Sequence, residues 1–417
     1  MRWTADRKHG LARLAEFAPH AGRRYTSERN FDDGFIADEP RRNVSQLSPW
    51  LHAGLVSERE VLAATLAQHS PNASEKFIAE VFWRVYFKGY LEQRPTIWPA
   101  YCKDRDAALA SLATTPAKAK AYERACIGAT GIEAFDHWAG ELVETGYLHN
   151  HARMWFASIW IFTLKLDWEL GADFFLRHLN DGDAASNTLS WRWVGGLHTK
   201  GKTYLARPDN IARYTERMVG GSLSAEGLSR EAEALTEAIE HARQALHLPA
   251  ASDPADLVAQ AELSEPYALL LHDEAAHHEA LDLGAANSPA LVIGAARPEA
   301  RSPEPTGTLS REFAQAAVAS GMAEAASAFG CEAKAWDSSD DLSVILDEAG
   351  ITRLVVPYLP VGWTRDALMP QLQPLVEAER VTTIISDLNR ATWPQARAGF
   401  FKVKKAIPAV LRELGIT

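Results

Sequence analysis

Cysteine is scarce in this chain. Three among 417 residues exclude a disulfide framework and a four-cysteine zinc or iron–sulfur site. Long apolar runs are missing, so no membrane span is expected. The opening MRWTADRKHG holds no apolar leader core, so no secretory signal is expected either. These absences predict a cytoplasmic protein without a metal cluster; a monomer is also expected. Apolar residues at 47% and charged residues at 23% are the balance of a globular chain with a sizeable core. At about 100–200 residues per domain, two or three domains are expected.

Two quantities are unusual: a net charge of -11 and 13 tryptophans. Both are unevenly spread. Residues 1–250 carry 30 Lys+Arg and 31 Asp+Glu, whereas 251–417 carry 13 and 23. Ten tryptophans precede residue 250, and Trp336, Trp363 and Trp393 follow it. The stretch 247–266, rich in Ala, Pro and Asp, reads as a linker between unlike parts.

The first part reads as helical. Residues 75–94 place Phe77, Val81, Val85 and Lys88 on one stripe with Phe82, Tyr86 and Tyr90 beside it, a 3.6-residue period that Pro95 ends. Residues 147–168 are apolar on several faces, as in a buried helix. Residues 224–246, rich in Ala, Glu and Leu, predict an exposed amphipathic helix. No strand-like alternation precedes residue 260. Beyond it, short apolar runs at 267–271, 290–293, 333–336, 354–356 and 382–385 alternate with helical stretches at 309–329, 341–349, 365–379 and 404–415. That alternation predicts a doubly wound parallel sheet. Neither G-x-G-x-x-G nor G-x-x-x-x-G-K-[ST] follows any of these strands, so a dinucleotide or triphosphate site of the usual type is unsupported there. His272, Asp273, His277 and His278 read as a polar loop rather than a metal set.

Chemistry-bearing residues concentrate between 44 and 193. Val44-Ser45-Gln46-Leu47-Ser48 precedes a helix and can cap it or hold an anion; capping is the simpler reading. Glu80 and Arg84 are four apart and can pair along a helix, with Trp83 beside them. They read as a surface salt bridge by a core aromatic, or as a carboxylate and indole facing a nucleobase. Asn150 and Arg153 share a helix face, and an Arg in an apolar helix needs a partner. Asp181-Gly182-Asp183, Asn187, Trp191 and Trp193 then crowd thirteen residues. A D-G-D is commonly a turn, and too few oxygen ligands follow for a calcium loop.

In combination, from about Tyr25 to Arg213, these motifs resemble the helical flavin-binding domain of the DNA photolyase/cryptochrome family. The strongest stretch is TGYLHNHARM…LDW…LNDGDAASNTLSWRW. The resemblance implies non-covalent, U-shaped FAD. Tyr25 and Val44, Ser45, Gln46, Leu47 and Ser48 would hold its phosphates. Arg84, Asn150, Arg153, Asp181, Asp183 and Asn187 would surround the flavin and ribose, with Arg153 paired to Asp181. Glu80, Trp83, Met154 and Trp193 would line the lesion pocket. Trp191 and Trp168 would be the proximal and middle members of an electron relay, with Tyr122 a candidate distal member. The substrate implied is damaged DNA, and Glu80, Trp83 and Asn150 resemble enzymes of cyclobutane pyrimidine dimers. The other branch of the family implies a blue-light photoreceptor without repair.

Departures from the family are Gln46 for an Arg, Tyr147 for a Trp, and Val85 for an acid. Cys102, Cys126 and Cys331 are too few for its iron–sulfur branch. The expected division is a helical domain at 1–246 and an α/β domain at 267–417. Relatives carry the α/β domain first, so a circular permutation is expected here. No specific residue supports an antenna pigment. DNA would need a local basic face, for which Arg192, Lys200, Lys202 and Arg207 are candidates.

Overall fold

The computed structural model describes residues 3–34, 40–249, 266–281 and 288–416. The helical part begins with α1 (Arg7–Phe17), α2 (Arg23–Glu28), α3 (Ser48–His52) and α4 (Glu58–Gln68). Ser57 and Glu60 close a capping box at the start of α4, satisfying two otherwise orphaned N–H groups. The amphipathic stretch forms α5 (Glu75–Glu92), followed by α6 (Ile97–Thr114), α7 (Pro116–Cys126) and α8 (Glu133–Thr145). Gly146 ends α8 in the left-handed region, the usual glycine stop.

The buried helix expected over 147–168 is shorter and broken. It comprises α9 (Asn150–Ser158) and a π-helical turn, Ile159–Thr163. Trp168 then opens α10 (Trp168–His178), before α11 (Ala184–Val194) and α12 (Pro208–Thr215). These helices enclose a core rich in aromatics, including Trp138, Trp155, Trp160 and Trp191.

The helix expected over 224–246 does not form; the segment is irregular. Distant partners hold it instead. Leu235 N donates to Gly195 O at 2.9 Å and Gln244 N to Gln93 O at 2.8 Å. Glu237 pairs with Arg192 at 2.8 Å. Tertiary contacts outweigh helix propensity, which amounts to only tenths of a kcal/mol per residue. Most of the expected linker, 250–265, lies outside the described residues.

The second part is a five-stranded sheet with α-helices in three of the four connections among the described residues. The strands are β1 (Tyr267–His272), β2 (Leu291–Ala295), β3 (Glu332–Ala335), β4 (Arg353–Pro357) and β5 (Val381–Ile384). Their order is β3-β2-β1-β4-β5, and every pairing is parallel. Continuous burial of β1 and β2 explains their unbroken apolar runs, since both faces are covered. The helices are α13 (Thr308–Phe329), α14 (Leu342–Glu348), α15 (Trp363–Glu377), α16 (Asp387–Thr392) and α17 (Phe401–Glu413). The short α16 had no counterpart among the expected elements. Among the described residues no helix is long and apolar enough to cross a membrane.

The two parts share one core. Trp393 and Phe400 of the α/β domain pack with Phe82, Val85 and Tyr86 of α5. A Cβ on Gly89 would lie 2.5 Å from the Trp393 ring, so the close approach of α5 and Trp393 depends on that glycine.

Candidate flavin site

The DGD segment sits between α10 and α11, and the structure gives its two carboxylates different partners. Asp181 accepts two hydrogen bonds from Arg153, at 3.0 and 3.1 Å, a bidentate pairing that fixes both side chains. Asp183 caps α11, accepting from Ser186 N at 2.6 Å. Its second oxygen lies 3.6 Å from Lys88 Nζ and 3.7 Å from Arg84 Nη2. His52 Nδ1 is 3.6 Å away. Lys88 also binds Glu274 at 2.7 Å, and Glu274 follows β1 in the α/β domain.

This buried network is electrically balanced. Burial opposes ionisation of Asp183, but Lys88, the adjacent His52 imidazole and Arg84 hold its carboxyl well below the usual range. Burial drives His52 down, leaving it neutral. Against its own desolvation, Lys88 is raised by Glu274 and Asp183. His52, Asp183 and Glu274 bring potential metal-ligand atoms within 4.8 Å of one another. Arg84 and Lys88 already balance both carboxylates, so the cluster is an ion-pair network between domains.

Glu80 and Arg84 do not pair with each other. Glu80 pairs with Arg29, and Arg84 reaches Glu58 at 3.4 Å as well as Asp183. The reason is the strength of longer-range partners: each side chain meets an opposite charge from another element. Tyr25 is buried edge-on against Phe17 and Phe77. Arg13 ties down the loop before α3, donating to Ser45 O at 2.7 Å and Val44 O at 2.9 Å. Gln46 has φ 56°, a strained region for a non-glycine residue, and its Oε1 accepts from Arg41 N at 2.7 Å. Leu47 is buried and Ser48 begins α3. Asn150 is exposed at the start of α9, and Met154 is half-buried. Asn187 donates through Nδ2 to Ala172 O at 2.8 Å, which anchors its amide to α10.

The aromatic residues are arranged differently from the expected relay. Trp191 meets Trp160 edge-on at 6.2 Å, and Trp160 meets Tyr122 at 6.1 Å. Trp168 packs instead with Tyr101 at 5.5 Å, and Tyr101 with Trp98 at 5.3 Å. Tyr122 therefore adjoins Trp160 rather than Trp168. Trp193 stacks on Tyr204 at 5.6 Å. Trp83 stacks on Phe400 of the α/β domain at 3.9 Å and 15°. Of the expected basic face, Lys200, Lys202 and Arg207 are exposed. Arg192 is buried and paired with Glu237, so it drops out.

Sequence reasoning missed His52, Glu274 and Trp160. It noted Lys88 only as part of a stripe, although a cation in an apolar stripe signals a buried partner.

Residues 77–218 match the family described as the FAD binding domain of DNA photolyase. This matched segment is of the photolyase/cryptochrome type. A deoxyribodipyrimidine photo-lyase of Streptomyces griseus is 33% identical over 48% of this chain and 46% of its own length. One from Vibrio cholerae is 28% identical over 48% of this chain and 42% of its own. A cryptochrome DASH of Idiomarina loihiensis is 29% identical over 48% and 43%. The chain thus spans less than half the length of these relatives. Tyr25 and Val44–Ser48 lie outside the matched domain, whereas Glu80 through Trp193 lie inside it.

FAD is the cofactor of this photolyase-type domain. The side chains fit a polar, anionic dinucleotide. Gln46 Nε2 and Arg84 Nη2 are buried donors that make no hydrogen bond, and both ring nitrogens of His52 are likewise unused. Buried polar atoms left this way are costly, and a hydrogen-bonding cofactor relieves that cost.

Proposed function

We propose that this chain is a light-driven DNA-repair flavoprotein that splits cyclobutane pyrimidine dimers. The reading is carried by helix α5. Arg84 reaches Asp183, which ties α5 to the flavin side of the domain. Glu80 lies about one turn earlier on the same helix and Trp83 directly precedes Arg84, so a lesion contacting them would adjoin the cofactor.

When bound, reduced FAD would supply light-driven one-electron chemistry, and the chain's residues would hold it beside the dimer. The chain's residues have separate tasks. Tyr25 and Val44, Ser45, Gln46, Leu47 and Ser48 hold the phosphates. Arg84, Asn150, Arg153, Asp181, Asp183 and Asn187 orient the flavin and ribose. Arg153 offers positive charge beside electron-rich flavin, and Asp181 keeps that guanidinium in place. Glu80 accepts hydrogen bonds from the pyrimidine pair. Trp83, Met154 and Trp193 give apolar contact to an unstacked lesion flipped out of the helix. Trp191 and Trp168 are relay residues. The α/β domain is a permuted counterpart of the family's first domain.

One observation favours a second reading, a blue-light photoreceptor without repair: Phe400 already occupies one face of Trp83. Illumination of the FAD-bound protein with dimer-containing oligonucleotides decides between them. Repair predicts dimer loss in single- or double-stranded DNA. No loss in either, with FAD bound and photoreducible, leaves the photoreceptor. Glu80→Ala is expected to impair dimer splitting and leave FAD bound; loss of FAD would displace Glu80 from the lesion side.

A further inference from the structure

The α/β domain is acidic overall, yet its last elements are not. Residues 388–412 hold Arg390, Arg397, Lys402, Lys404, Lys405 and Arg412 and no Asp or Glu. That is six of the thirteen cations in residues 251–417, on a segment that packs against α5 through Trp393 and Phe400. Helix α17 is amphipathic. Val403, Ile407, Val410 and Leu411 are buried, whereas Lys402, Lys405 and Arg412 are exposed. Spacings of three and seven put those three on one face. Lys404 is committed to Glu75 at 2.8 Å. At the start of the helix Phe401 is 65% exposed, with Lys405 Nζ 4.6 Å from its ring centroid. Its neighbour Phe400 is the residue stacked on Trp83.

From this we infer that the exposed face of α17, with Arg397 and Phe401 at its head, is a nucleic-acid docking surface. The backbone phosphates lie along Lys402, Lys405 and Arg412, and an unpaired base stacks on Phe401. Three observations support that occupant. Cations outnumber acids on α17 four to one, the single carboxylate being Glu413 at its last residue, which suits a polyanion. A bare aromatic ring among them is the sequence-tolerant platform that single strands use. The stripe begins beside Trp83, so one strand can span both. The inference rests on the proposed repair reading for its partner. It adds a DNA contact from the α/β domain to those of the helical domain.

The test is binding of undamaged single-stranded and duplex oligonucleotides to the FAD-bound full chain, followed by fluorescence anisotropy across a salt series. Each neutralised phosphate contact contributes about 0.7–0.9 to the slope of log K against log salt. Lys402→Gln/Lys405→Gln should therefore lower that slope by roughly 1.4–1.8. Phe401→Ala should weaken single-strand binding roughly tenfold and duplex binding less. Arg353→Gln/Arg380→Gln, a two-charge change at the starts of β4 and β5, should leave the slope unchanged. Phe401 is exposed, so its variant keeps the test open if the lysine pair destabilises the helix.

Wild-type binding with an unchanged slope and affinity in both α17 variants would overturn the surface and leave repair intact. Absence of any DNA binding by the wild type would overturn surface and repair together. Binding of phosphatidylserine vesicles through this stripe without oligonucleotide binding would also overturn the proposal, since the partner would then be a membrane.

Discussion

At the scale of single residues, the site is governed by the company each side chain keeps. Trp191 touches Trp160, a fully buried indole that sequence pattern alone casts as core. Apolar packing and electron relay ask for the same residue type, so the sequence cannot separate them; the ring contacts can. If Trp191 is the proximal relay member, Trp191→Phe should slow flavin photoreduction, followed by absorption under continuous light. The geometry then divides the next step. Trp160→Phe should slow photoreduction more than Trp168→Phe, because Trp160 is the indole in ring contact with Trp191. An effect confined to Trp168→Phe would restore the expected order. Gly171 sharpens this. A Cβ there would fall 2.3 Å from the Trp191 ring and 2.9 Å from Trp160. Gly171→Ala should therefore cost about 1–3 kcal/mol by overpacking, read as a shift in the denaturation midpoint.

At the scale of elements, α5 is the hinge of the argument. Its Arg84 and Lys88 face the DGD segment, and Gly89 admits Trp393 from the α/β domain. Gly89→Ala should destabilise the protein by about 1–3 kcal/mol, because Trp393 is buried and its backbone also lies within 3.0 Å of the added carbon. The helix itself was legible from its 3.6-residue period, and the five strands from their apolar runs. Both signals report burial of a whole face, which is local in sequence. The irregular stretch after α12 was illegible for the opposite reason. Its Ala, Glu and Leu favour a helix, but Gly195, Gln93 and Arg192 fix its backbone and charges from elsewhere. The DGD carboxylates were recognisable as important, and Arg153 was readable as needing a partner in its apolar helix, with Asp181 named by the family resemblance. Lys88 and His52 were not, because their partner Glu274 lies about 200 residues away in the second domain.

At the scale of the whole molecule, the two domains behave as one electrostatic unit. Arg301 of the α/β domain donates to Leu179 O at 2.8 Å, and Trp363 donates to Gly182 O at 2.8 Å. Both contacts grip the segment that carries Asp181 and Asp183. Glu92 of α5 accepts from Val361 N at 2.6 Å and Tyr358 Oη at 2.8 Å. Polar docking of this kind makes stability depend on pH in two opposite ways. Asp183 has a depressed folded pKa, so its contribution is present above the unfolded value near 4 and is lost as pH falls below it. Asp273, at the end of β1, is the reverse. Burial raises its carboxyl from 3.8 to about 7, although Arg297 N donates to it at 2.7 Å. Between those values the folded state holds a proton that the unfolded state has released. Stability from Asp273 is therefore greatest below about pH 4 and declines as pH rises to about 7. The two limbs together predict a maximum in Tm near pH 4. Asp273→Asn keeps the size of the side chain and removes the second limb. It should raise Tm at pH 8 relative to the parent and change it much less at pH 4, as measured by calorimetry on the FAD-bound chain. A variant whose Tm falls equally at both values would mean that Asp273 acts through its hydrogen bond to Arg297 rather than through buried charge.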